Sequence, residues 1–458
     1  MTVSHATSRQ RTLFDLATFG PPAMMAAFAF TAANVVGQAW RLVYAGLLLW
    51  LAPGCLRAIA NLSETPLGIG VVVLFATMIT APVDSLLHGD GVLAVNGFRE
   101  ALYVAIWCSS FWLALTLVRT PSEMSWAIRR IDALGLLIAG SVYLSFAAQA
   151  VGLSFGEVIQ SRGETRIFGL LGDATPFLLL FFLFREMIRG ARARAALFAA
   201  PFLLGLPRGA ILAFAIGLAY LATGDAIRFA RRNAGRPAVR LLGTLLLVGA
   251  SLVALLRFTG VGEMIRWRFE LMAHSGISVA LGDRLPSMRR AWGVFRENPV
   301  VGLGPGGYPR HVAELGLADE GPVSRRIDPS AEDTARPREV PYAQNQILQI
   351  AAEGGAIGLF GYGTFAVLAL RTVRSARRSR MRDEALFFRA VDVFWIAVLF
   401  GVQTTVWLLD KATLGFFVFL LLGLASRQAS MQWRRHPIYE RQAAYGASRT
   451  SHGEVIAS

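Results

Sequence analysis

Charge is scarce in this chain. Asp, Glu, Lys and Arg make up 16% of its 458 residues, against roughly 25% in an ordinary soluble domain, while 54% are apolar. A soluble fold of that size cannot hide so much apolar surface, and disorder, collagen and coiled coil are excluded by the same composition. Lysine is nearly absent: Lys411 stands alone among 45 basic residues. Cysteine is reduced to Cys55 and Cys108, both in apolar stretches, which argues against a disulfide framework and a thiolate metal site. The six histidines show no metal-ligand spacing, so neither a metal nor a cofactor is expected. No internal repeat is present, and no paired broken helices in matching halves, which argues against a secondary transporter. A cleavable signal peptide is not apparent, since 16–35 has no small-residue cleavage site followed by a soluble domain.

What is there is a series of apolar runs of roughly the 20 residues a bilayer requires. They fall near 16–35, 40–57, 66–83, 99–118, 131–151, 167–184, 241–256, 346–370, 390–409 and 412–425. Between 195 and 223 lie two shorter runs, split by Pro207-Arg208-Gly209, which read as two short helices meeting at Arg208. The expectation is an all-α, polytopic membrane protein with about twelve transmembrane helices.

The net charge of +15 is spread unevenly. Nearly all of it falls on 119–130, 185–194, 228–240, 371–389 and the two tails, and an arginine excess of that kind marks the cytoplasmic side. Both termini are therefore expected inside, and the basic character signals topology rather than nucleic-acid binding. The division expected is helices 1–9 over 1–256, one large periplasmic loop over 257–345, helices 10–12 over 346–425 and a basic tail over 426–458. The loop holds 12 arginines and 11 acidic residues, so it does not owe its arginines to topology. It begins with an amphipathic helix near 283–297, and loops of such length in compact proteins commonly carry function.

Several residues in and around that loop could carry chemistry. Gly302-Leu303-Gly304-Pro305-Gly306-Gly307 matches a dinucleotide fingerprint in letters only, because Pro305 interrupts it and no strand precedes it; a turn with positive-φ positions is the simpler reading. Arg208 sits at the apex of arms about 18–22 Å long, short of a hydrocarbon core near 30 Å, and so belongs in a cavity below the outer surface. An arginine within a membrane marks function by default, and its planar fork matches a phosphate, although pairing with helix-end carbonyls or Asp173 would also account for it. Arg284, with Arg289 and Arg290 on the same helix, reads alone as a solvated charge. His88, His274 and His311 are the outward histidines. Glu353, beside Gly354-Gly355, is either packing glue or part of the site.

These pieces come in a recognisable order. Pro207-Arg208-Gly209-Ala210 is followed by Asp283-Arg284, by Phe295 to Tyr308, and by Gln344-Asn345 running to Leu359 through Glu353-Gly354-Gly355. The set resembles the O-antigen ligase and polymerase family of polytopic glycosyltransferases (GT-C-like in fold), with the likeness concentrated in 195–370. The resemblance implies a donor glycan carried on undecaprenyl diphosphate and used at the periplasmic face of the bacterial inner membrane, without metal or nucleotide. The acceptor would be a hydroxyl, either of another lipid-linked glycan (polymerase) or of lipid A core (ligase). It further implies that Arg208 and Arg284 hold the diphosphate, with Asn345, Arg289, Gly304 and Tyr308 lining the same substrate site.

Two departures bear on mechanism. Where the family reads His-Asn this chain has Gln344-Asn345, and a glutamine can orient a hydroxyl but cannot take its proton. The catalytic set expected is therefore Gln344 in an orienting role with His311 or Glu353 as base. The tryptophan common four residues after the loop arginine is Met288, with Trp292 one turn on, and the serine usual before the hairpin arginine is Pro207. The expected partners are the lipid-linked donor, the glycan or lipid A core acceptor and inner-membrane lipids, with no nucleic acid. A transporter or a non-catalytic assembly partner for lipid-linked glycans is the alternative reading.

Overall fold

The computed structural model describes residues 11–15, 53, 65–89, 91–153, 157–161, 164–169, 171, 174–205, 208–232, 284–314, 342–343, 345–401 and 412–434. The runs expected at 16–35, 40–57 and 241–256, the loop residues 257–283 and 315–341, Gln344 and the tail beyond 434 lie outside them.

The described elements are helices with one exception. In order they are α1 (Pro66–Leu87), α2 (Gly91–Leu117), α3 (Pro121–Ala150), the hairpin β1 (Glu157–Ser161) and β2 (Glu164–Gly169), α4 (Thr175–Arg189), α5 (Arg192–Gly205), α6 (Arg208–Arg232), α7 (Arg284–Glu297), α8 (Gly307–Glu314), α9 (Gln346–Ala376), α10 (Arg382–Ile396) with a π-helical end over Ala397–Gly401, and α11 (Ala412–Arg434). The antiparallel hairpin pairs Ser161 with Glu164 and qualifies the all-α expectation. It takes the first residues of the apolar run read as a span over 167–184, so that helix begins later, at Thr175.

Among the described residues, five helices are long and apolar enough to cross a membrane: 66–87, 94–117, 121–150, 346–376 and 414–432. Their limits follow local chemistry. Thr120 and Glu123 form a reciprocal capping box at the start of α3, satisfying two N–H groups that the first turn leaves unbonded. Gly190, at φ 75°, closes α4 in the left-handed conformation that suits glycine.

Packing pairs α1 with α2 and α9, α2 with α11, and α4 with α5 and α10. The core is aromatic. Phe181 meets Phe387, Phe394 and Phe417 edge-on at 5.5–5.6 Å between ring centres, the arrangement the ring quadrupole favours. Close approach elsewhere depends on absent side chains: a Cβ at Gly401 would stand 2.2 Å from Ala213 Cα, so the π-helical end of α10 lies directly on α6.

The two ends of the bundle differ in chemistry. Where α3 and α10 begin and α4 and α9 end, polar side chains are buried and paired. Arg185, fully buried, donates to Asp132 at 2.7 Å. Asp392, also fully buried, accepts from Tyr220 at 2.9 Å and from Arg377. Glu384 accepts from Ser379 at 2.7 Å and Gln428 at 2.9 Å. At the opposite end, where α1 turns into α2 and α9 begins, sit α7, the glycine turn and α8.

Candidate active site

The buried side of α7 is set by helical spacing. Ser287, Ala291 and Val294 recur at three to four residues and are buried, joined by Tyr308, Val312, Ala343 and Ala352. Arg284 is the first residue of α7 and Arg208 the first of α6; the side chains of both lie outside the described residues, and so does the expected meeting of the two. Arg289 falls on the exposed side. Arg290 falls at the edge of the buried stripe, with Nε and Nη1 shut off from solvent and without a hydrogen-bond partner among the described residues. Trp292 is 51% exposed and packs on Phe295, while Met288 is half-buried.

After α7 the chain makes a turn with positive φ at Gly302 (74°), Gly304 (84°) and Gly306 (72°), and docks onto α9 in an unusual way. Inside α9, Gly355 (φ 59°, ψ −154°) breaks the helix. In an unbroken helix the N–H groups of Ala356 and Ile357 would bond the carbonyls of Ala352 and Glu353. Here Leu303 N–H takes the Ala352 carbonyl (3.0 Å) and Gly304 N–H takes that of Glu353 (2.7 Å). Ala356 N–H turns to the Pro299 carbonyl (2.8 Å) and Ile357 N–H to that of Val300 (3.2 Å). The turn thus replaces two rungs of the helix with four bonds of its own, leaving none of those groups unpaired. The approach requires glycine: a Cβ at Gly302 would lie 2.4 Å from the Glu353 carbonyl carbon, and one at Gly355 would lie 2.3 Å from Val300 O.

Glu353 lies beneath this junction, 4% exposed. Its carboxylate accepts from Gln349 Nε2 at 2.7 Å and from the backbone N–H groups of Gly306 and Tyr308. Gln349 in turn accepts from Ala343 N–H at 2.8 Å. A hydrogen-bonded chain therefore runs from the segment before α9, through Gln349 and Glu353, into the turn. Glu100 of α2 flanks it, close enough that a Cβ at Gly306 would meet its Cγ at 2.7 Å. Tyr308 is fully buried and donates to Ser287 O at 2.9 Å. Burial pushes its hydroxyl up to about 12, against the pull of the Arg290 charge and with the push of Glu353, so near neutrality it is a neutral donor.

The other expected site residues divide clearly. Gly304 belongs to the junction through its N–H. Asn345 caps α9, its side chain accepting from Leu348 N–H at 3.0 Å, a role that N-terminal position favours. His311 lies on α8, partly exposed. Gln344 lies outside the described residues, between Ala343 and Asn345. Three residues of the cluster escaped sequence reasoning. Gln349 stands one helical turn before Glu353, a spacing that was available. Arg290 is distinguished from Arg289 only by helical phase. Glu100 carries no signal in the sequence.

Residues 193–363 match the family model described as O-antigen ligase. Over that segment the chain is similar to the O-antigen ligase family. The matched stretch takes in α5, α6, α7, the glycine turn, α8 and the first half of α9, and so spans both arginine-bearing helix starts and the broken helix. No curated protein matches the chain. The match points to glycosyl transfer of the O-antigen ligase and polymerase type, with a lipid-linked glycan and an acceptor as partners in general, and the apolar helices point to a multi-pass membrane protein.

Proposed function

We propose that this protein transfers a glycan from undecaprenyl diphosphate to an acceptor hydroxyl at the periplasmic face of the inner membrane. The observation that carries the reading is the α7–turn–α9 junction, which belongs to the family-matched segment and lies at the bundle end away from the arginine-rich connections. In the full topology, about twelve spans leave both termini in the cytoplasm and 257–345 outside.

In the reaction the acceptor oxygen attacks the anomeric carbon of the donor sugar. The bond from that carbon to the diphosphate oxygen breaks, and undecaprenyl diphosphate leaves with the electron pair. Arg208 and Arg284 hold the diphosphate and stabilise the charge that develops on it, in place of a metal ion. Each is the first residue of its helix, where unbonded N–H groups and the helix dipole also favour an anion. Gln344 orients the acceptor hydroxyl and His311 takes its proton. Glu353, with three donors already on its carboxylate, acts by holding the turn rather than as the base. Arg289, exposed on α7, touches only the outer part of the glycan, and Asn345 fixes the start of α9 next to Gln344.

The acceptor is another lipid-linked glycan, making the enzyme a polymerase; the missing histidine at position 344 is what weighs against ligase. A strain lacking the protein tests this through its surface polysaccharide. Single repeats in place of long chains are the expected result. Full-length polymer left on its lipid carrier would make it a ligase instead. Lipid-linked repeats trapped on the cytoplasmic side would replace the transferase reading with a transporter.

A further inference from the structure

Among the described residues, Arg290 is the charged side chain at the junction whose needs are unmet. Nε and Nη1 are closed to solvent and bond to nothing among the described residues. Among the described residues the acceptors of the junction are already in use. Glu353 is occupied by Gln349, Gly306 and Tyr308. The carbonyls of Ala352 and Glu353 are taken by the turn, and that of Ser287 by Tyr308. A buried cationic donor without an acceptor is unfavourable, and the planar guanidinium fork is built for tetrahedral oxyanions. Its place on the helix adds to this. Arg290 is six residues from Arg284, about 9 Å along the axis of α7 and about 120° around it, so the two meet one diphosphate through the reach of their long side chains.

Resting on the proposed donor, we infer that Arg290 binds an oxyanion of the lipid-linked diphosphate, as a third arginine beside Arg208 and Arg284. Tyr308, whose hydroxyl feels the Arg290 charge, lies near this subsite, and the ligand supplies the acceptor that the described residues lack. Arg290 therefore acts in holding the donor, while its exposed neighbour Arg289 does not reach the phosphates.

The test uses the full-length protein in detergent, with undecaprenyl diphosphate as probe and phosphatidylglycerol as the competing source of a phosphate oxyanion. Thermal melting and titration are followed for the wild type, Arg290→Gln, Arg290→Lys, Arg208→Ala and Arg284→Ala. The expected result is that Arg290→Gln melts no lower than the wild type without ligand, yet binds undecaprenyl diphosphate at least tenfold more weakly and loses the ligand-induced rise in melting. Arg290→Lys, which keeps the charge and loses the fork, is expected to fall between, and it carries the test if the glutamine variant does not fold. Wild-type binding by Arg290→Gln or Arg290→Lys overturns the inference, as does a lowered ligand-free melting temperature with affinity intact. A phosphatidylglycerol shift equal to that of the diphosphate, and lost with it in Arg290→Gln, overturns the assignment to the donor. Loss of binding in Arg208→Ala and Arg284→Ala but not in Arg290→Gln sinks this inference alone. The reverse pattern keeps Arg290 as an oxyanion site and sinks the proposed roles of the other two.

Discussion

On the proposed reading Glu353, which looks catalytic in sequence, has the task of holding the turn. A carboxylate inside an apolar helix beside two glycines has the marks of a buried base, but Gln349 and two backbone N–H groups from a turn some fifty positions away in sequence occupy its oxygens. Those donors are main-chain groups, so no side chain in the sequence announces them. Glu353→Gln introduces an amide donor where the site presents only donors, and is expected to cost about 1–3 kcal/mol of stability, measured by melting in detergent. Activity should fall with the turn misplaced while the pH–rate profile keeps its shape. A vanished acid limb would instead make Glu353 the base. Gln344, at the position of the family's histidine, gives a contrasting pair of outcomes. Gln344→His should preserve or raise transfer, and Gln344→Ala should cost no more than about 10²-fold, below or at the edge of what losing a general base costs. His311→Ala should cost more. A Gln344→Ala enzyme as inactive as Arg208→Ala, beside a fully active His311→Ala, would reverse these roles.

Among the elements, α9 was legible as a long apolar helix and Gly302–Gly307 as a turn with positive-φ positions, yet the joint between them was not. Periodicity reports which face of a helix is buried; it does not report that the helix opens at Gly355 to admit another segment's backbone. The adjacent Gly354 illustrates the difficulty, since a Cβ there would meet nothing within 4 Å and only Gly355 needs to be glycine. The hairpin of β1 and β2 was missed for a related reason, because the apolar end of its second strand, Ile167-Phe168, continues in sequence into the apolar run that contains α4. Gly355→Ala should therefore cost about 1–3 kcal/mol or more, combining a disfavoured backbone conformation with the clash against Val300 O. Gly354→Ala should be nearly neutral. Equal melting temperatures for the two variants would show that the rungs exchanged with the turn do not hold α9 open.

At the scale of the whole molecule, the uneven charge read from the sequence corresponds to a bundle with two unlike ends. The arginine-rich end is tied by pairs among Arg185, Asp132, Asp392, Tyr220, Arg377, Glu384 and Gln428, which join α3, α4, α6, the end of α9, α10 and α11. Sequence reading took the arginines as topology signals and missed their second use in pairing with buried carboxylates, because the partners lie on other helices. The opposite end carries the turn. The proposed topology, which rests on the positive-inside rule, has the first end in the cytoplasm, and thiol labelling of intact cells checks that assignment directly. In a Cys55→Ser background the remaining native thiol, Cys108, is buried and should stay silent. Val300→Cys, at a site 58% exposed in the turn, should react with a membrane-impermeant maleimide once the outer membrane is permeabilised. Arg380→Cys, exposed between α9 and α10, should react only after the inner membrane is opened. The converse pattern would put the site on the cytoplasmic side, where nucleotide-activated sugars are available, and would remove the reason to expect a lipid-linked donor.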